Sequence, residues 1–329
     1  MHRWLSSFLG IFTLTMRQLL IVLSLSSVTA ISAGCGGGDA RPATSAPTEA
    51  SASRTSALKQ NSRLPSQYSF KFFDVPGATR TSASAINDWG VVTGTYRDTL
   101  NQRHGYIRRV DGSFVTFDAS GTQGTAAVGI NNAGFVVGDV VVDGIDHGYL
   151  RSPAGSITLV DFPGADLTFL TSINNRGLMV GGYNDVGTGF LYDGHSFTVV
   201  EDAPGAIPMN TGPSYVNDIG TTVGCFVDAA NDLVGYILDR GHYTDVAPTT
   251  TTCLWRVNDL GIAVGDFAYP PSSGFVLDIQ RPAQPLPFVC PSGEATSVLG
   301  INNWGQIVGT CATQSGGPPR GFIATPIDD

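Results

Sequence analysis

The chain has 329 residues, with 18 Lys and Arg against 27 Asp and Glu, for a net charge of −9. No basic cluster interrupts this acidic balance, which argues against a nucleic-acid partner. Beyond the first 34 residues, no apolar run is long enough to cross a membrane as a helix.

Residues 1–34 read as a leader. Arg3 and Arg17 are its basic residues, Leu19–Val28 is an apolar run too short for a bilayer, and Met16 offers a second start. Ser32-Ala33-Gly34-Cys35, followed by Gly36-Gly37-Gly38, resembles a bacterial lipoprotein signal. In such signals small residues precede a cysteine that is acylated and becomes the new N-terminus. Ser32 stands where that signal usually has Leu, with Ile31 one place earlier. The resemblance implies lipidation at Cys35 and a membrane partner through that lipid. It also implies residence in the bacterial cell envelope, at the outer membrane or surface, since Gly36 and not Asp follows the cysteine. The other reading is an ordinary secretory signal cut near Ala33.

Residues 35–67 are rich in Ala, Ser, Thr and Pro. So few large apolar side chains cannot offset chain entropy, and this segment is expected to be a disordered tether.

From residue 68 onward one phrase returns six times: Ile or Val, then Asn, then Asn or Asp, any residue, and Gly. Its Asn residues are Asn87, Asn131, Asn174, Asn217, Asn258 and Asn302, spaced 41 to 44 residues apart. Such a period marks a repeat architecture. In the third repeat, Thr171–Ile173, Leu178–Tyr183, Gly189–Tyr192 and Phe197–Val200 read as four short strands. Asn174-Asn175-Arg176-Gly177 suits a type I turn ending in a left-handed Gly. Asp111-Gly112, Ala154-Gly155, Asp193-Gly194 and Arg240-Gly241 mark tight turns between third and fourth strands. Asp74-Val75-Pro76-Gly77 and Asp161-Phe162-Pro163-Gly164 begin longer crossovers. Three hairpins and one crossover per period describe a propeller blade. Gly94, Gly138, Gly181, Gly224, Gly265 and Gly309 fall in the second strand, where a missing side chain lets backbones approach.

The repeats begin with a lone fourth-type strand near Ser69–Asp74 and end after a third-type strand at Gly321-Phe322-Ile323. The first strand should therefore complete the last blade and leave no free edge. The expected fold over residues 68–329 is all-β: a six-bladed β-propeller with four-stranded antiparallel blades, closed by the N-terminal strand, and monomeric. A linear β-solenoid is the alternative.

At the start of the third strands the chain reads His104-Gly105-Tyr106, His147-Gly148-Tyr149, Thr188-Gly189-Phe190, Val234-Gly235-Tyr236, Ser273-Gly274-Phe275 and Arg320-Gly321-Phe322. This set resembles the HAF extracellular repeats, named for a His-Ala-Phe signature, although Gly replaces the middle Ala throughout. The resemblance covers everything beyond the tether. It implies an exported bacterial propeller and supplies no catalytic residue.

Cys225, Cys253, Cys290 and Cys311 are an even number in an exported domain, which points to two disulfides. Pairing Cys225 with Cys253 and Cys290 with Cys311 keeps each within one or adjacent repeats. Zinc is the rival reading, but no close CxxC or HxxxH spacing supports it.

His104 and His147 occupy equivalent places in adjacent repeats and are expected to bond their own loops. Asp74, Asp118, Asp161, Asp202 and Asp245 recur where the crossovers begin; calcium ligation and Asx turns are both open to them. The chain has no Gly-x-Ser-x-Gly elbow, HExxH or phosphate loop, so no catalytic residue, metal site or cofactor is assigned. The loops between second and third strands vary most, and recognition on repeat scaffolds usually sits in such loops. They nominate Arg97, Asp98, Arg103, His104, Asp143, His147, Asp228, Asp232 and Tyr269 as ligand-binding candidates. Two functions are compatible with this pattern. One is a non-catalytic envelope module binding a protein or glycan. The other is a secreted glycan or ester hydrolase or lyase with a site at the channel mouth.

Overall fold

The computed structural model describes residues 64–65, 67–119, 124–184, 187–246, 251–267, 273–280, 285–291, 296–312 and 317–327. The leader, Cys35 and Tyr269 lie outside them.

β1 (Tyr68–Phe73) precedes the first full blade, which is β2 (Arg80–Ile86), β3 (Val92–Arg97), β4 (Arg103–Arg108) and β5 (Phe114–Phe117). Blade 2 is β6 (Thr125–Ile130), β7 (Val136–Val142), β8 (Ile145–Arg151) and β9 (Ile157–Val160). Blade 3 is β10 (Thr168–Ile173), β11 (Met179–Tyr183), β12 (Gly189–Tyr192) and β13 (Phe197–Val199). Blade 4 is β14 (Ala206–Val216), β15 (Thr222–Asp228), β16 (Leu233–Asp239) and β17 (His242–Val246). Blade 5 is β18 (Thr252–Val257), β19 (Ile262–Phe267), β20 (Gly274–Asp278) and β21 (Leu286–Phe288). Blade 6 is β22 (Thr296–Ile301), β23 (Ile307–Cys311) and β24 (Arg320–Pro326), completed by β1.

The result is the expected six-bladed propeller. β1 lies antiparallel on β24 with Phe72 opposite Phe322, so the chain's first strand seals its last blade. The body begins slightly earlier than the repeats imply. Leu64 packs against the core of the last blades, and the carbonyl of Gln67 accepts a bond from the Ile327 amide at 3.1 Å.

One local rule builds every blade. The second-strand Gly lies directly opposite a fully buried aromatic of the third strand: Gly94 opposite Tyr106, Gly138 opposite Tyr149, Gly181 opposite Phe190, Gly224 opposite Tyr236, Gly265 opposite Phe275 and Gly309 opposite Phe322. A Cβ at Gly94 would come within 2.7 Å of the Tyr106 hydroxyl, so the glycine is the space into which the ring fits. Each buried ring contributes roughly 1.5–3 kcal/mol through apolar burial. The Gly that stands for Ala in the His-Ala-Phe-like triplets has a packing reason as well. At Gly274 an added Cβ would meet Val298 of the next blade at 2.0 Å, and at Gly189 it would meet Pro213 at 2.0 Å.

The cysteines pair as Cys225–Cys253 and Cys290–Cys311. The first joins β15 to β18, across the seam between blades 4 and 5. The second runs from just after β21 to the end of β23, across the seam between blades 5 and 6. Blade 5 is thus stapled on both flanks.

Candidate functional site

The repeated Asn does more than form its turn. Its Oδ1 accepts backbone amides two and four residues on, as when Asn174 takes Arg176 N and Leu178 N, both at 3.0 Å. The Gly that ends each turn has positive φ, from Gly90 at 77° to Gly305 at 73°. The Asn Nδ2 reaches sideways to the carbonyl of the equivalent Asn in the next blade. Asn87 donates to Asn131, Asn131 to Asn174, Asn174 to Asn217, Asn217 to Asn258, Asn258 to Asn302 and Asn302 back to Asn87, at 3.0–3.2 Å. Six side chains close a hydrogen-bonded ring about the axis.

A second ring lies beside it. The next residue in each repeat, Asp88, Asn132, Asn175, Asp218, Asp259 or Asn303, donates its backbone amide to the Oδ1 of its counterpart one blade on, at 2.7–3.0 Å. Asn side-chain amides then satisfy the outer carboxylate oxygens: Asn132 and Asn303 donate to Asp88, Asn175 to Asp218, and Asn303 also to Asp259. Three carboxylates from blades 1, 4 and 5 therefore converge on one mouth. Asp218 and Asp259 are ring neighbours. Burial first, and the Asp218 charge second, hold the Asp259 carboxyl above the usual range.

The channel beneath is filled. Each first strand carries a β-bulge just before its Asn, and the residue after the bulge is Ala85, Gly129, Ser172, Tyr215, Arg256 or Gly300. Four are small. Their space is taken by Tyr215 and by Arg256, which crosses the axis. Arg256 Nη1 donates to the carbonyls of Trp255 (2.8 Å) and Ser214 (3.5 Å), and Nη2 to those of Val128 (2.8 Å) and Thr171 (2.9 Å). All four carbonyls belong to bulge residues, whose backbone groups the ladder leaves unpaired. Burial lowers the guanidinium to about 10, still charged at neutral pH, and it lies 5.2 Å from the centre of the Tyr215 ring. What stays open above Tyr215 is a cavity of about 30 Å³, walled by Asp88, Asp218, Asp259 and the ring asparagines.

Two tryptophans flank this mouth. Trp89 and Trp304 sit at the tips of the Asn turns of blades 1 and 6 and are 68% and 70% exposed. Neither is loose. Trp304 Nε1 donates to the carbonyl of Asp88 and Trp89 Nε1 to that of Asn132, each at 3.0 Å. Both indoles therefore lie across the next blade's turn and leave their faces to solvent. Exposed Ile219 and Arg176 and half-buried Leu260 take the same turn position in other blades.

On the opposite face the sequence candidates are mostly committed within their own loops. Asp98 accepts Leu100 N and Gln102 N, and Asp228 accepts Ala230 N and Asp232 N. Arg97 donates to the Asn101 carbonyl, and Asp143, with φ 51°, forms the tight β7–β8 turn. Arg103 pairs with Asp139 of the next blade at 2.7 Å. His104 bridges Asp118 (2.7 Å) and Asp98 (3.3 Å) and stacks on Tyr96; His147 bonds Asp161 at 2.9 Å. Burial alone would lower His104, but its hydrogen bonds to the two aspartates leave it above the usual imidazole range. Of the recurring aspartates, Asp118 and Asp161 serve these histidines, Asp74 pairs with Arg320 and Asp202 accepts Met209 N.

No local sequence pattern marks the buried carboxylate of Asp266. Asp266 accepts Trp255 Nε1, Ser297 Oγ and the Val298 amide between blades 5 and 6, and burial pushes its carboxyl up to about 6. Arg256 and Tyr215 were legible as two bulky residues in a column otherwise Ala, Gly and Ser; the tryptophans as aromatics at exposed turn tips.

No protein-family model and no curated protein matches the sequence. Several solved structures resemble it. A catalytically inactive virginiamycin B lyase from Staphylococcus aureus has 10% identity, with 79% of this chain and 100% of that one covered and a TM-score of 0.46. The β-propeller domain of the Trilobed protease from Pyrococcus furiosus has 11% identity, with 77% and 86% covered and a TM-score of 0.45. TolB from Acinetobacter baumannii has 11% identity, with 62% and 55% covered and a TM-score of 0.48. At such identities the likeness carries no ligand or activity across.

Proposed function

We propose that the protein is an exported, lipid-anchored β-propeller of the bacterial cell envelope that binds a partner without turning it over. The lipoprotein-like Cys35 context and the HAF-like repeats support the location. The two disulfides suit an oxidising compartment. The observation that carries the binding role is the pair Trp89 and Trp304: large apolar faces kept in solvent, held by hydrogen bonds on a rigid ring. Exposed aromatics of this kind mark interaction sites, and holding them in place beforehand reduces the entropy lost on binding. The test is to screen the purified chain against envelope proteins and glycans. Saturable binding, lost in the Trp89→Ala/Trp304→Ala double variant, is expected; turnover of a glycan or ester would overturn the reading.

The enzyme alternative has one observation in its favour, the neighbouring carboxylates Asp218 and Asp259 with Asp259 held up. Their outer oxygens are bonded by ring asparagines, and the cavity of about 30 Å³ is small beside the few hundred Å³ of a substrate pocket. Hydrolysis abolished by Asp218→Asn or Asp259→Asn would establish it.

A further inference from the structure

The axial mouth also specifies the chemistry of its ligand, an inference that rests on the binding reading above. We infer that it receives a protonated primary amine borne on a polypeptide: the side chain of a lysine in a partner protein.

Four observations converge on this class. Charge comes first. Asp88, Asp218 and Asp259 face one opening in a chain of net charge −9. A carboxylate oxygen can accept more than one hydrogen bond. The outer oxygens of Asp218 and Asp259 each take one amide, which leaves them capacity toward the mouth.

Second is the aromatic pair. Asp88 lies between the tryptophans, since the Trp304 indole bonds its carbonyl and Trp89 is the next residue. A cation over an indole face gains roughly 0.5–2 kcal/mol, and the methylenes of a lysine stem are suited to lie along such apolar faces.

Third is size. A cavity needs about 10–15 Å³ to hold one water. At about 30 Å³ the mouth takes an ammonium head, whereas a sugar ring is too large for it. Among the described residues no three His, Cys, Asp or Glu groups could hold a metal ion, so the carboxylates act as a field over the opening and not as an ion cage.

Fourth is polarity around the rim. Arg176 occupies the tip position in blade 3, on the far side of the ring from Trp304. A cationic guest is therefore favoured at the blade 1 and 6 side, where the tryptophans stand, and its backbone would rest on them and on exposed Val110.

The experiment titrates the full chain with hexalysine, hexaglutamate and a neutral oligosaccharide, reading the heat of binding by isothermal titration calorimetry at low and physiological salt. Hexalysine should give a saturable change that weakens with salt. Trp89→Ala/Trp304→Ala should weaken it at least tenfold and Asp88→Asn severalfold, while Arg176→Ala should strengthen it. The double variant should keep its unfolding midpoint, and Trp89→Phe, which keeps an aromatic face, should retain most affinity. Equal hexalysine binding by the double variant would mean diffuse attraction to an acidic surface and would overturn the inference. So would saturable binding of the oligosaccharide in place of hexalysine; that result would leave the binding-module reading standing. Chemical conversion of any probe would overturn both.

Discussion

Asn302 donates from Nδ2 to the carbonyl of Asn87 at 3.0 Å, across 215 positions of chain. It is one of several bonds by which the last repeat holds the first, with those of Asn303 and Trp304 to Asp88 and the strand pairing of β1 with β24. Within its own turn Asn302 Oδ1 also caps Trp304 N at 3.1 Å and Gln306 N at 2.9 Å.

Replacing Asn302 with Ala removes a buried donor and a twice-used acceptor. At about 1 kcal/mol per buried hydrogen bond, the loss should be about 2–4 kcal/mol. Asn302→Asp keeps the caps and loses the donor, and should fall between. Urea unfolding midpoints measure both; an unchanged midpoint for Asn302→Ala would contradict the ring's role.

The closed scaffold was readable because its rule repeats. Asn-x-x-Gly spacing set the period, and the offset start at Phe72 foretold its pairing with Phe322. The turn-forming role of the Asn residues was equally visible. Their second function was not, because a bond from Asn87 to Asn131 depends on how tightly two blades approach, and no local pattern encodes that distance. For the same reason the axial Arg256 escaped: its four acceptors come from blades 2, 3, 4 and 5. Loop candidates such as Asp98 and Asp228 follow from the variability of their loops, yet their polar groups are largely used within the loops themselves.

Arg256→Met should cost about 3 kcal/mol or more, because four bulge carbonyls lose their donor in a place water barely reaches. Arg256→Lys should not rescue it, since one ammonium cannot reproduce the planar fork. Thermal unfolding of both variants decides this; a lysine variant as stable as the parent would show that charge alone suffices.

Asp266 makes stability depend on pH. Its carboxyl sits near 6 in the folded chain against 3.8 when exposed, so the native state binds the proton more tightly. Its contribution should therefore rise as pH falls through 6 and be complete below about 4, worth about 3 kcal/mol at 1.36 kcal/mol per unit. Denaturant midpoints at pH 7 and pH 5 for the parent and Asp266→Asn isolate it. The variant should lose part of the pH dependence, and identical slopes would refute the assignment.

Tyr236 fills the same socket as Phe190, Phe275 and Phe322, but its buried hydroxyl has no hydrogen-bond partner among the described residues. Tyr236→Phe should be neutral or stabilising by up to about 1 kcal/mol. Tyr106→Phe should instead destabilise by about 1 kcal/mol, because it removes the bond to the Ser82 carbonyl. Calorimetry on the pair separates the two cases.

Reduction should loosen one sector first. The disulfides close loops of 28 and 21 residues, each worth about 3 kcal/mol in the chain-entropy account. Hydrogen exchange under reductant should accelerate at blade 5 and its two seams before blades 1 to 3; uniform acceleration would contradict this.

The seal formed by β1 has a mechanical side. Residues on the N-terminal side of Tyr68 are joined directly to the strand that completes the ring, so tension arriving from that direction passes the Leu64 packing and the Gln67–Ile327 bond and then loads six residue pairs, Tyr68 with Pro326 through Phe73 with Gly321. Pulled from that end, the fold would yield first at the fastening strand.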